Sequence, residues 1–221
     1  MKNLLLVFIL IIGSNLYGQS DSIEKAILYN KLLSKEIGQG EYSKIGMRWN
    51  QTIKEIKKYP DLPLDQNGQV HYSFLNKFAG LNKEKLFTRT LEWLSINYGL
   101  FPQYIYTNLE DGKIIIRNSL NLSSSNSCTY AAVILIKNEK VLVEITNIGF
   151  QIYSEGYYSN DTWIPEKTVN LGINQIYPVI LKNPSEWNSK LTLLKSTNEL
   201  FNTENENFCN YLINDNNPDT F

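Results

Sequence analysis

Glu110-Asp111-Gly112 divides two runs of alternating character, Tyr104-Ile105-Tyr106-Thr107-Asn108 before it and Lys113-Ile114-Ile115-Ile116-Arg117-Asn118-Ser119-Leu120-Asn121-Leu122 after it. Successive side chains of a strand point to opposite faces, so a period of two marks a sheet. Asp-Gly favours a type I′ turn, whose two central positions both need positive φ. The two runs therefore read as a hairpin. The period persists beyond it. Ser123 to Ser127 is a polar loop, and Cys128 to Ile136 is a strand with a long apolar centre. Asn138-Glu139 turns the chain again, and Val141 to Phe150, extending toward Tyr153, closes an antiparallel meander.

Upstream of the meander, Val70-His71-Tyr72-Ser73-Phe74 alternates as one more strand. Asn82 then caps a helix, with Leu81 and Leu86 placed as a hydrophobic staple around it. Leu86, Phe87, Leu91, Leu94 and Tyr98 form its buried face, Trp93 lies at the margin, and Gly99 is a left-handed C-cap. A strand, a helix and four antiparallel strands, with the helix on one face, predict an α+β arrangement.

Toward the N-terminus, Pro60 to Gln69 is a polar connector. It separates this domain (70–153) from a helical extension (19–60). Asp21-Ser22-Ile23-Glu24 reads as a capping box. Ile23, Ile27, Leu28, Leu32 and Ile37 follow at helical spacing, and Gly38-Gln39-Gly40 ends that helix. A second helix from about Glu41 to Tyr59 carries the stripe Ile45, Trp49, Ile53 and Ile56 and stops at Pro60 and Pro63. Before these helices, Met1-Lys2-Asn3 is followed by nine apolar residues, Leu4 to Ile12, and then Gly13-Ser14-Asn15. A basic start, a short apolar core and a small residue at Gly18 predict a secretory signal peptide over 1–18. The run falls short of the roughly 20 residues of a membrane-spanning helix. The expected address is the periplasm or the medium, with no transmembrane segment after signal removal.

Residues 154–221 hold an irregular, Gly- and Pro-interrupted segment (154–184) and then a helical region. That region opens at Pro184-Ser185-Glu186, carries Trp187, Leu191, Leu194 and Leu200, breaks near Asn202 and frays after Asn214. Aromatics gather in the irregular part: Tyr153, Tyr157, Tyr158, Trp163 and Tyr177. Aromatics on loops stack on sugar rings or anchor a protein partner, or they cover an open sheet face as a lid. Tyr153, Tyr157, Tyr158 and Trp163 are the candidate ligand-binding residues, with the lid the favoured reading of the segment.

The stretch from Val70 to Tyr153 resembles a secreted Bacteroidota domain-of-unknown-function family (number 4468) with a TBP-like fold. The residues that carry the resemblance are the Val70–Phe74 strand and the helix with Leu91-Glu92-Trp93-Leu94-Ser95-Ile96-Asn97-Tyr98. Asp111-Gly112-Lys113-Ile114-Ile115, Thr129-Tyr130-Ala131 and the closing Ile145-Thr146-Asn147-Ile148 complete it. The resemblance implies one helix packed on a curved antiparallel sheet, and export. It implies no activity, and the fold name is no indication of DNA binding.

Composition points away from several function classes. A net charge of −1 and a pI near 5.9 argue against a nucleic-acid-binding chain. The single His, His71, would have to serve any Ser-His or Cys-His hydrolase, yet no Gly-x-Ser-x-Gly elbow accompanies it. Glu110 with Asp111 is better explained as turn chemistry, and Glu204 with Glu206 as a solvated face. No catalytic residue, metal site or cofactor is expected. Cys128 and Cys209 permit a disulfide in an oxidising compartment. It would close a loop of roughly 80 residues and stabilise by about 4.5 kcal/mol on the chain-entropy account. Residues 21–60 carry +3 and residues 183–221 carry −4, which fits two solvated faces or a basic surface that meets an acidic partner. The leading expectation is a non-catalytic binding or interaction module of the cell envelope, its partner an envelope protein or glycan. A carboxylate-dependent glycan hydrolase and a structural component of an envelope assembly are the alternatives.

Overall fold

The computed structural model describes residues 22–57, 59–99, 102–159 and 162–214. The expected signal peptide and the final residues 215–221 lie outside them.

Two helices, α1 (Ser22–Leu33) and α2 (Gln39–Ile56), precede strand β1 (Tyr72–Lys77) and helix α3 (Lys83–Tyr98). The meander follows: β2 (Gln103–Asn108), β3 (Lys113–Asn121), β4 (Asn126–Lys137) and β5 (Lys140–Ser154). The antiparallel sheet runs β1-β5-β4-β3-β2, with β8 (Lys167–Gly172) also on β5. The expected α+β order is thus observed, with the helices on one face of a curved sheet.

β5 is long enough for β1 and β8 to share one of its sides. β1 pairs with residues 140–145, and β8 pairs with residues 149–154. Between them the register with β4 shifts from Ala131↔Thr146 to Thr129↔Gly149. Asn147, at φ 53°, takes up the extra residue as a bulge. The shift keeps Ile148 and Phe150 on the core face that Val141 and Ile145 occupy before it; all four are buried.

Local chemistry sets the joints. The Asn82 side chain accepts from Lys85 N at 2.9 Å and starts α3 as expected. Gly99 ends the helix at φ 62°, ψ −127°, a positive φ outside the left-handed helical well. The β2–β3 turn departs from type I′. Gly112 has φ 60°, but Asp111 stays at negative φ, so the loop is the four residues Leu109 to Gly112, with Asp111 N donating to Asn108 Oδ1. A Cβ on Gly112 would lie 2.1 Å from the Ile136 carbonyl oxygen, so glycine is required for close approach as well as for φ.

Several sequence expectations are corrected. Gly38-Gln39-Gly40 starts a helix rather than only ending one, with Gly38 as the N-cap of α2. Trp93 is buried in the core, its ring edge-on to Tyr98 and Phe208. The segment 154–184 is not irregular throughout. It contains a hairpin of β6 (Tyr157–Ser159) and β7 (Thr162–Ile164), then β8, a short helix α4 (Ile173–Ile176) and a 3₁₀ turn (Val179–Leu181). The closing helix α5 (Trp187–Ile213) is continuous through Asn202.

α5, about 40 Å long at 1.5 Å per residue, lies across the helical side and joins the layers. Trp187 meets Trp49 of α2, Phe201 meets Tyr72 and Tyr130 of the sheet, and Phe208 meets Trp93 of α3. Arg89 of α3 donates to the Tyr211 carbonyl at 2.7 Å and to the Asn214 carbonyl, which satisfies the C-terminal turn of α5. Within the connector, Tyr59 and Leu62 are buried in the same core.

Candidate functional site

The sheet has one face covered by helices and one face without them. On the covered side, Tyr72, Ile114, Ile116, Tyr130, Ile134 and Ile145 are buried. Their neighbours in sequence point the other way. The register sets those outward residues in rows across the strands. Leu75, Leu142, Leu135 and Lys113 form one row, and Ser73, Glu144, Val133, Ile115 and Tyr106 form the next. Leu75 is 61% exposed and Tyr106 38% exposed, while Leu142, Leu135, Val133 and Ile115 are half-buried. The result is an apolar centre, with the Glu144 carboxylate set within it beside Ser73 and Val133, and a basic rim. A third row sets Lys77, Lys140 and Lys137 at directly opposed positions at one end. Arg117, opposite Ala131, extends the basic rim. Alternation in the sequence marks these positions as outward, but only the register shows which of them line up.

The exposed aromatics of the segment are not packed down as a lid. Tyr158 and Trp163 are 75% and 52% exposed on the β6–β7 hairpin, with ring centroids 5.0 Å apart. Trp163 rests on Gly156, where a Cβ would come within 2.4 Å of the indole. Tyr153, also exposed, donates its hydroxyl to Glu166 at 2.7 Å. Tyr157 pairs with Ile164 through the backbone of the hairpin, and Tyr177 is buried.

Beneath the sheet, a cavity of about 50 Å³ has room for a few waters. Trp93, Tyr98, Tyr130, Phe201, Phe208 and Glu204 are among its walls. Tyr98 donates to Glu204 at 2.5 Å. Burial, then the neighbouring Tyr130 and Glu204, pushes the Tyr98 hydroxyl well above its ordinary range. Glu204 is thus turned inward while Glu206 is exposed, so the two do not share one solvated face. Glu110 and Asp111 stay in the β2–β3 turn, where Asp111 accepts from Tyr106.

His71 Nε2 lies 3.8 Å from Glu144 Oε1 and has no hydrogen-bond partner, so no serine hydroxyl is bonded to it there. Cys128 and Cys209 are both free. Cys128 is buried near Tyr72, whose hydroxyl meets Asn198. Cys209 is eleven residues further along α5, about 16 Å at 1.5 Å per residue, which accounts for the absent bond. Glu24, the expected capping-box residue, instead points into the core. It is fully buried and accepts from the Tyr59 hydroxyl and from Val179 N. Among the described residues no cluster of three His, Cys, Asp or Glu could hold a metal, and no helix is long and apolar enough to cross a membrane.

Two solved structures are similar to the chain. One is a TBP-like protein from Parabacteroides distasonis, with a TM-score of 0.48 and 16% identity, covering 68% of this chain and 96% of that one. The other is a DUF4468 family protein from Bacteroides ovatus, with a TM-score of 0.49 and 14% identity, covering 72% and 93%. Their names are those of the family that Val70 to Tyr153 resembles. No family model matches the chain, and no curated protein matches it either.

Proposed function

We propose that the protein is an exported, non-catalytic interaction module of the cell envelope, which holds a protein partner against the helix-free face of its sheet. The observation that carries this reading is the apolar centre of that face, Leu75, Leu142, Leu135, Val133 and Ile115 with Glu144 among them, bounded by Lys77, Lys137 and Lys140. An apolar patch with a charged rim is the usual composition of a surface that is covered part of the time. The rim selects a partner with acidic groups around an apolar contact. The carboxylate pairs weighed for hydrolysis sit in structural roles, Asp111 accepting from Tyr106 in the β2–β3 turn and Glu204 accepting from Tyr98 while Glu206 is exposed, which supports binding over hydrolysis.

A photo-crosslinking residue placed at Leu142 tests this in envelope extracts, with the same residue at the exposed Ser95 of α3 as the control. One partner captured from Leu142 and lost on Lys140→Glu with Lys137→Glu is the expected result. Equal capture from both positions, or none from Leu142, would overturn it. Mass spectrometry of the exported protein gives a mature N-terminus at Gln19 on this reading, and an intact Met1 would remove the export part.

A further inference from the structure

The outer edge of β1 carries a second feature, distinct from the sheet face. Phe78 N donates to the Glu139 carbonyl at 2.8 Å, and the β1–β5 register continues from that pair. In an antiparallel ladder the residues that bond the partner alternate. Tyr72, Phe74 and Asn76 therefore bond β5. Ser73, Leu75 and Lys77 direct their N–H and C=O groups outward. The bond from His71 N to the Pro63 carbonyl, 3.0 Å, confirms the alternation, because it leaves the same outer edge one step earlier.

That edge has already accepted an extended segment where it begins. The connector forms an antiparallel bridge between Leu64 and Val70 and is bonded to His71 through Pro63. Beyond Pro63 the two chains splay apart. A groove of about 380 Å³ opens there, lined by Asp61, Leu62, Pro63, Ser73, Asn198 and Asn202 among others. No described residue pairs with the outer edge of Ser73, Leu75 or Lys77. An unpaired edge of this kind is a template for one more strand.

We propose that β1 receives an extended peptide segment of a partner protein, added to the sheet as a further strand along Ser73, Leu75 and Lys77. This deepens the function proposed above and rests on it for the existence of a protein partner. The groove states the chemistry of the peptide. Side chains on its inner face meet the amides of Asn198 and Asn202, so hydrogen-bonding residues belong there. Side chains on its outer face continue the row of Leu75 and Leu142, so apolar residues belong there. At the Lys77 end the lysine row Lys77, Lys140 and Lys137 calls for an acidic residue.

The test uses the full chain and a phage-displayed library of random peptides. A selected peptide is then synthesised in its parent form and N-methylated at alternate amides, and binding is followed by fluorescence anisotropy. Selected peptides should alternate polar and apolar residues and carry an acidic group at one end. N-methylation in the edge-facing register should weaken binding at least about tenfold, as the loss of one or two hydrogen bonds implies, and the opposite register should have little effect. Leu75→Pro removes an outward N–H without breaking the β5 ladder and should weaken binding similarly, with a melting curve to show that the variant is folded. Lys77→Glu should reverse the preference for an acidic end. Failure to select any peptide, equal binding of both N-methylated forms, or unchanged binding to folded Leu75→Pro would overturn strand addition. Crosslinking of Leu75→Cys to a second copy would overturn the partner protein as occupant, since the added strand would then come from another molecule of this chain. If N-methylation has no effect while Lys140→Glu still abolishes crosslinking at Leu142, strand addition fails and the interaction face stands.

Discussion

The indoles of Trp49 and Trp187 meet edge to face, with ring centroids 5.2 Å apart and an interplanar angle of 83°. Both side chains are 1% exposed. One belongs to the N-terminal helical pair and the other to the first turn of α5, so the contact fastens the extension to the rest of the molecule. Truncating either to Ala should cost about 3–5 kcal/mol, as buried Trp→Ala substitutions do. The double variant should fall short of additivity by about 0.5–1.5 kcal/mol, the worth of the aromatic pair. Urea unfolding followed by circular dichroism measures both. A two-step transition in the wild type would show that the extension unfolds separately.

Tyr59 connects the same extension to the connector by a different route. Its hydroxyl donates to Glu24, a carboxylate with no exposed surface. Burial, then the charge of Glu24, holds the Tyr59 hydroxyl far above its ordinary range. Tyr59→Phe removes a donor and leaves the ring in place, so it should destabilise by about 1–3 kcal/mol, the usual cost of leaving a buried acceptor short of a partner. Unchanged stability in urea would mean that the carboxylate is satisfied without it.

Alkaline pH should weaken the fold through groups in the sheet core. Burial pushes the Cys128 thiol from its ordinary 9.0 up to about 12, and chiefly burial pushes the Tyr130 hydroxyl from 10.0 up to about 12. These folded values lie above the unfolded ones. Their contribution to stability is therefore whole below the unfolded values and is lost as pH rises toward the folded values. Between them the unfolded chain binds fewer protons than the folded one, which makes the slope negative. Stability should hold up to about pH 9 and decline from there to about pH 12. Cys128→Val should flatten the decline by up to about 1.4 kcal/mol per pH unit, one proton's worth. An identical slope in wild type and variant would remove the thiol from the account.

The parts of the fold legible in the sequence are those that local chemistry decides. Asn82 had to cap a helix because Leu81 and Leu86 flank it at staple spacing, and Asn138-Glu139 had to turn the chain between two apolar runs. The parts that were not legible depend on residues distant in sequence. Lys167-Thr168-Val169-Asn170-Leu171-Gly172 alternates as a strand should, yet Pro165 and the glycines around it read as loop. Only the length of β5 beyond its pairing with β1 provides the strand a partner. Glu24 looked like a cap residue because its burial depends on Tyr59 and Val179, 35 and 155 residues away. The candidate face was half legible: the alternation marks outward residues, but the rows that join Leu75 to Leu142 and Lys77 to Lys140 exist only in the register.

That lysine row yields the last prediction. Lys140 lies directly opposite Lys77 on one side and Lys137 on the other, and all three are exposed. Like charges directly opposite on a sheet are destabilising, while opposite charges contribute about 0.2–1 kcal/mol. Replacing the central lysine, Lys140→Glu, converts two repulsions into two attractions. It should raise stability in urea by about 0.5–1 kcal/mol at low salt, with the gain shrinking as salt screens it. The same substitution should abolish capture of the partner at Leu142. A variant that is more stable and no longer binds would assign the lysine row to recognition, since nothing in folding favours three lysines at directly opposed positions. A variant that is more stable and binds as before would leave the apolar centre as the whole of the contact.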